Sequence, residues 1–225
     1  MFLGGLQKTS LLDFPDKISA IVFTQGCNFR CGYCHNPELI ALKEPVLTVP
    51  AFFEFLSSRK GKLDGVVITG GEPCLQSDLV DFIKQIKDMG FLVKLDTNGT
   101  FPDKIIQALP YLDYIAMDIK APLEKYPLIT NSKILSDKIQ ESINIIMSSK
   151  LGYEFRTTVV KSQLSYEDFS NIADLIEGAE KYYLQKFVPS KTLDPKIMGE
   201  KTYTDKEFED IVSILKQKIK YVAVR

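Results

Sequence analysis

The chain has 225 residues, 28 basic against 29 acidic, for a net charge of −1. At 45% hydrophobic and 25% charged it can bury a core, and the near-neutral balance argues against a bulk electrostatic grip on nucleic acid or anionic membrane. Four cysteines, one histidine and no tryptophan exclude a disulfide scaffold, a two-histidine metal site and a multi-histidine catalytic network.

Residues 1–26 carry Lys8, Asp13, Asp16 and Lys17 and no long apolar stretch of the targeting kind. No run reaches the ~18–20 apolar residues of a membrane span. The expected setting is the reducing cytoplasm. Ile18–Thr24 reads as the first strand. Thr48 is a helix N-cap, with Pro50 in the first turn and Phe52, Phe53 and Leu56 at helical spacing. Val66–Thr69 is a short buried strand ending in Gly70-Gly71. Leu79, Phe82, Ile83, Ile86 and Met89 trace a helical face that Gly90 closes.

The next strand is Phe91–Asp96, followed by Asn98-Gly99 and a short helix over 102–109. Tyr114–Met117 is a strand ending at Asp118, and Leu135, Ile139, Ile143 and Ile146 form a helical stripe. Tyr153–Val160 and Tyr182–Val188 are strands. Ser165 with Asp168, and Thr204 with Glu207, are capping-box patterns ahead of two further amphipathic helices. The chain closes on a strand within Ile219–Val224.

That is about six βα units and a terminal strand, which implies one α/β domain over 1–225 with a parallel sheet. A full eight-unit barrel, at ~250 residues, is slightly too large. A partial (β/α)6 TIM-like barrel fits better. Its ligand belongs at the carboxyl ends of the strands.

The rare chemistry is concentrated after the first strand, in Cys27-Asn-Phe-Arg-Cys31-Gly-Tyr-Cys34. Thiolates are the usual ligands of iron–sulfur clusters. Three of them can hold three irons of a four-iron cluster, leaving the fourth iron open to bind a substrate. The competing reading is structural zinc with His35 as fourth ligand, but Cys34 and His35 are adjacent and zinc ligands usually come as two separated pairs. A simple electron-transfer module is the remaining non-enzymatic alternative.

Gly70 and Gly71 at a strand end let a ligand approach the backbone, and Glu72 can accept from an ammonium group; an ordinary turn is the alternative. Asp96 and Asp118 end two strands and together could bind a cation or a sugar hydroxyl, although Asp96 could instead cap the next turn. Lys120 is either a ligand contact or a solvated surface lysine. Arg156 stands inside an apolar strand, so it should be paired or face a polar cavity. Cys74 lies outside the cluster motif. His35 either packs through a backbone hydrogen bond or neighbours the cluster.

Cys27-x3-Cys31-x2-Cys34, with Tyr33 before the last cysteine, resembles the signature of the radical S-adenosylmethionine superfamily. Thr69-Gly70-Gly71-Glu72-Pro73 resembles its GGE segment. Asp96-Thr97-Asn98-Gly99 and Asp118-Ile119-Lys120 are similar to motifs of the glycyl-radical-enzyme activating enzymes. The opening Gly4–Ser10 segment and Cys34-His35-Asn36-Pro37-Glu38 look most like the branch that activates anaerobic ribonucleoside-triphosphate reductase. The resemblance spans nearly the whole chain.

The resemblance implies one 4Fe-4S cluster on Cys27, Cys31 and Cys34. It also implies S-adenosylmethionine contacted by Tyr33, His35, Gly70, Gly71, Glu72, Asp96, Asn98, Asp118, Lys120 and Arg156. Reductive cleavage would give a 5′-deoxyadenosyl radical that takes a hydrogen atom from a backbone glycine of a partner enzyme. It further implies a flavodoxin or ferredoxin as electron donor and a monovalent cation near Asp96 and Asp118. Pyruvate formate-lyase activating enzyme has a further histidine near the end of its barrel; this chain has none, and Gln185 or Lys186 is expected in that space. An activase of another glycyl radical enzyme, such as formate-lyase, and a radical enzyme acting on a small molecule or peptide are the alternatives within the family.

Overall fold

The apolar, β-branched segments form one eight-stranded sheet in sequence order: β1 (Leu3–Ser10), β2 (Ser19–Thr24), β3 (Gly65–Gly70), β4 (Leu92–Thr97), β5 (Tyr114–Asp118), β6 (Gly152–Val159), β7 (Tyr182–Lys186) and β8 (Val222–Val224). This is a computed structural model, and it describes residues 1–133 and 136–225. Strands β2 to β8 are parallel, joined through α1 (Val49–Ser58), α2 (Leu79–Asp88), α3 (Pro102–Ala108), α4 (Tyr126–Thr130), α5 (Ser136–Ser148), α6 (Tyr166–Leu175) and α7 (Asp205–Leu215). The six βα units and terminal strand are as the alternation predicts.

The difference is β1, which pairs antiparallel with β2. Its residues include Gly4, Gly5, Gln7, Lys8 and Thr9, a polar and glycine-containing run with no strand signal of its own. It becomes a strand because the β2 edge is free to receive it.

The helix signals act as read. Thr48 accepts from Ala51 N–H at 3.3 Å. Ser165/Asp168 and Thr204/Glu207 form complete capping boxes. Gly90 ends its helix at φ +88°, where a side chain would be strained. In α5, Ile139, Ile143 and Ile146 face the core; Leu135, assigned to the same stripe, lies outside the described residues.

The sheet curls. β2 and β7 stand five positions apart, roughly 24 Å in a flat sheet. Yet Asp194 N–H, beyond β7, donates to Gly32 O, beyond β2, at 3.0 Å. β8 does not pair with β1, so the barrel stays partial.

The concave face is layered. Phe14, from the β1–β2 connection, packs with Ile21, Val67 and Tyr114 as an apolar floor. Register places Lys94 level with Val67 and Tyr114, Asp96 with Ala116, and Asp118 with Arg156. Above the floor the barrel is therefore filled by charged side chains instead of the usual apolar layers.

Candidate active site at the carboxyl ends of the strands

A cavity of about 220 Å³ opens at the carboxyl ends of β2 to β6. Cys27, Cys31 and Cys34 line one wall, and all are free thiols. Their loop is held from below: Gly26 N–H donates to Leu39 O at 2.8 Å and Cys27 N–H to Ile40 O at 3.1 Å. Burial pushes the Cys27 thiol up to about 11 and the Cys31 thiol up as well. Metal would have to draw those protons off. Among the described residues no three His, Cys, Asp or Glu side chains close on a single metal-ion position. A cluster makes a different demand, one thiolate per iron around a cavity, and the three cysteines fit it.

The opposite wall is an ion-pair chain. Strand alternation points Lys94, Asp96, Asp118, Glu154 and Arg156 to the concave face. Arg156 Nε donates to Asp118 Oδ1 at 2.9 Å, and its Nη1 to Asp96 Oδ2 at 3.0 Å. Lys94 Nζ lies 2.9 Å from Asp96 Oδ1, and Lys120 Nζ donates to Asp118 Oδ2 at 2.9 Å. Burial alone would raise both carboxyls. For Asp118, Lys120 and Arg156 reverse this and hold it well below the carboxylate range; for Asp96, Arg156 and Lys94 reverse it and lower the carboxyl.

The Arg156 guanidinium lies between Asp96 and Asp118, where a cation is expected, and pairs with both carboxylates. Asp96 does not cap the next turn.

Glu72 is fully buried and does not line the cavity. Its carboxylate accepts from Thr97 Oγ1 at 2.7 Å, Asn98 N–H at 2.6 Å and Cys74 N–H at 3.0 Å. It holds the loop after β4 and positions Asn98, with three hydrogen bonds accepted behind the cavity wall.

Gly70 and Gly71 do line the cavity, but the requirement for glycine comes from behind. A Cβ on Gly70 would meet Thr24 backbone at 2.4 Å, and one on Gly71 would meet Gly26 O at 2.1 Å. They let the β3 end approach the cysteine loop, with Glu72 N–H donating to Gly26 O at 2.7 Å.

Lys186 pairs with Asp205 on the outer surface, and neither it nor Gln185 lines the cavity. Phe187 instead packs on His35, ring centroids 5.6 Å apart, and His35 Nε2 lies 2.9 Å from Val188 O. His35 therefore packs through a backbone hydrogen bond and lines the cavity as well.

Tyr33, Asn98, Asp96, Asp118, Lys120 and Arg156 all line the cavity. Tyr33 is buried, and its hydroxyl has no partner among the described residues. Asn98 Nδ2 donates to Asn28 Oδ1 at 2.9 Å, joining the strand end to the cysteine loop. Cys74 is buried away from the cavity, its Sγ 3.6 Å from Thr97 Oγ1.

Sequence reading missed Lys94, Glu154 and Asn28. Lys94 is 2% exposed and Glu154 accepts from Tyr114 Oη at 3.3 Å. For Lys94 and Glu154 the signal was present: each is a charged residue inside an apolar strand, the same sign that picked out Arg156.

The Radical SAM superfamily pattern matches residues 21–176, which contain the cysteines, both glycines and every member of the ion-pair chain. A putative glycyl-radical enzyme activating enzyme of Methanocaldococcus jannaschii is 31% identical, over 99% of this chain and 95% of that protein. The pyruvate formate-lyase-activating enzyme of Clostridium pasteurianum is 30% identical, over 97% and 93%. The chain belongs to the radical S-adenosylmethionine superfamily, among the glycyl-radical-enzyme activating enzymes. Membership brings one 4Fe-4S cluster and S-adenosylmethionine. SuiB of Streptococcus suis bound to S-adenosylmethionine superposes with a TM-score of 0.70 at 12% identity, covering 91% of this chain and 49% of that one. TYW1 with a lysine–pyruvate adduct gives 0.65 at 18%, covering 88% and 73%. At these identities the likeness is one of fold.

Proposed function

We propose that this chain installs a glycyl radical on a partner enzyme and that the partner is an anaerobic ribonucleoside-triphosphate reductase. The observation that carries the radical chemistry is one cavity with three free thiols on one wall and Lys120 and Arg156 on the other. When bound, the cluster supplies the electron that cleaves S-adenosylmethionine into methionine and a 5′-deoxyadenosyl radical.

The chain's own residues bind and orient. Cys27, Cys31 and Cys34 would hold three irons of the cluster, and Cys74, buried against Thr97 behind the wall, would leave the fourth without a protein ligand. Lys120 spends one Nζ proton on Asp118 and keeps two for the cofactor carboxylate. Arg156 keeps its Nη2 protons on the same wall. Tyr33 presents an unpartnered hydroxyl beside Cys31, and Asn98 and His35 complete the lining. Hydrogen-atom abstraction requires position and not a general base, so a histidine-poor site is sufficient.

The reductase partner rests on Gly4–Ser10 and on Cys34–Glu38, with the absence of a second histidine arguing against formate-lyase. The identity with the clostridial formate-lyase-activating enzyme favours the second reading. The loaded protein, reductant and S-adenosylmethionine incubated with each partner separates them by electron paramagnetic resonance. A glycyl doublet on the reductase supports the first reading; a doublet on formate-lyase alone rejects it. The proposed setting is the cytoplasm, where thiols stay reduced; among the described residues no helix is long and apolar enough to cross a membrane.

A further inference from the structure

The cysteine loop has two sides. Cys27, Cys31 and Cys34 face the cavity just described. Arg30 and Gly32 face the other way, into a separate groove of about 450 Å³. Its floor is apolar, built from Leu128 and Ile129 of α4 with Leu193 and Ile197 from the segment after β7. The two hollows share no residue. A peptide or small molecule in the groove could not reach the cavity, because the loop stands between them. An electron can cross a loop one residue thick.

We infer that this groove is the docking site of the one-electron carrier protein that reduces the cluster. The inference rests on the cluster assignment under Proposed function, and it adds where the electron enters. Three observations select this occupant. First, two hydrogen-bonded routes run from the groove into the cluster loop. Arg30 Nη1 donates to Cys27 O at 2.6 Å and to Phe29 O at 2.7 Å, and Asp194 N–H donates to Gly32 O at 3.0 Å.

Second, Arg30 is exposed and forms no ion pair among the described residues, so its remaining N–H groups are open to a carboxylate. Among the described residues Asp194 is the one acidic residue lining the groove, and it already accepts from Lys196 N–H at 2.9 Å. The complementary surface is an acidic rim. Third, Leu128 is 77% exposed and lines the groove with Arg30, an apolar side chain next to a guanidinium, the latter a residue type that interface hot spots favour. Electron-transfer encounters use small interfaces of this kind. The step itself transfers one electron: the carrier is oxidised by one, the cluster is reduced by one, and no bond or proton moves.

The test is stopped-flow reduction of the loaded protein, read as loss of cluster absorbance, with photoreduced flavodoxin as probe and dithionite as the small-molecule control. Arg30→Glu and Leu128→Glu are compared with Lys62→Glu, an exposed position at the opposite ends of the strands. Both groove variants should slow reduction by flavodoxin about tenfold, and Leu128→Glu, which touches no cluster ligand, should leave dithionite reduction and iron content unchanged. Lys62→Glu should match the parent. The advantage of the parent over Arg30→Glu should shrink as salt rises.

If both groove variants are reduced by flavodoxin at the parent rate, the carrier docks elsewhere and the inference is wrong. It is equally wrong if Leu128→Glu, which touches no cluster ligand, slows dithionite as much as flavodoxin. If the parent itself holds no cluster, the functional reading fails before the groove is reached.

Discussion

Arg156 and Asp118 are register partners on adjacent parallel strands, and Arg156 Nε donates to Asp118 Oδ1 at 2.9 Å on the concave face. That contact, extended to Asp96, Lys94 and Lys120, makes the far wall of the cavity an alternating row of three cations and two carboxylates. The row is rigid because Asp96, Arg156 and Asp118 each have two neighbours of opposite sign. Arg156→Met leaves Asp96 and Asp118 buried with one cation fewer each. Breaking such a pair costs about 3 kcal/mol or more. Chemical denaturation should show that loss, and Arg156→Lys should recover only part of it, since an ammonium cannot reach both carboxylates in the guanidinium geometry. A loss within 0.5 kcal/mol, about the level of an ordinary surface substitution, would mean the row is not held together by Arg156.

Gly71 and Gly90 separate two reasons for glycine. A Cβ on Gly90 meets nothing within 4 Å but sits at φ +88°, so Gly90→Ala should cost about 1 kcal/mol and leave iron content alone. A Cβ on Gly71 meets Gly26 O at 2.1 Å, at the entry to the cysteine loop. Gly71→Ala should cost more and also lower the iron bound per chain. Equal effects of the two variants on iron content would contradict this account.

Glu72 should act through Asn98. Glu72→Gln faces the amide N–H of Asn98 or the donors at Thr97 and Cys74 with a second donor, at a cost of about 1–3 kcal/mol. Isothermal titration should find S-adenosylmethionine affinity about tenfold weaker, while iron content is kept. Unchanged affinity would show that the Asn98 loop does not depend on Glu72.

Much of this was legible from the residues alone. The six βα units follow from periodicity, and capping chemistry at Thr48, Ser165 and Thr204 marks helix starts because it is local. The cysteine loop is legible because three thiols within eight residues have few other uses. What the sequence hides is direction. Glu72 and Gly71 sit in the right motif, but only the fold shows Glu72 turned inward to Asn98 and Gly71 packed on Gly26. Asp96 and Asp118 read as a cation site because the arginine that fills it lies 60 and 38 residues further along the chain. β1 escapes notice because its strand character comes from the β2 edge and not from its own residues.

The capping boxes give a pH dependence. Glu207 is lowered to about 2 by Lys161, then by Thr204. For Asp168, burial opposes the shift, and Lys125 and Ser165 win, so it is lowered too. A carboxyl whose folded pKa lies below its unfolded value, about 4.3 for glutamate, stabilises the fold fully above that value. The contribution fades as pH falls toward about 2 for Glu207. Unfolding free energy measured from pH 5 to pH 2 should therefore fall less steeply for Glu207→Gln than for the parent. Parallel slopes would show that the box does not hold its charge in solution.

The most direct measurement is cleavage of S-adenosylmethionine by the anaerobically reconstituted chain under strong reductant, with 5′-deoxyadenosine and methionine quantified. The account predicts about four irons per chain, both products in equal amounts, and no cleavage by Cys27→Ala, Cys31→Ala or Cys34→Ala, with Cys74→Ala still active. A chain that binds no iron–sulfur cluster, or that loses cleavage with Cys74 but keeps it without Cys31, would contradict the assignment of the site.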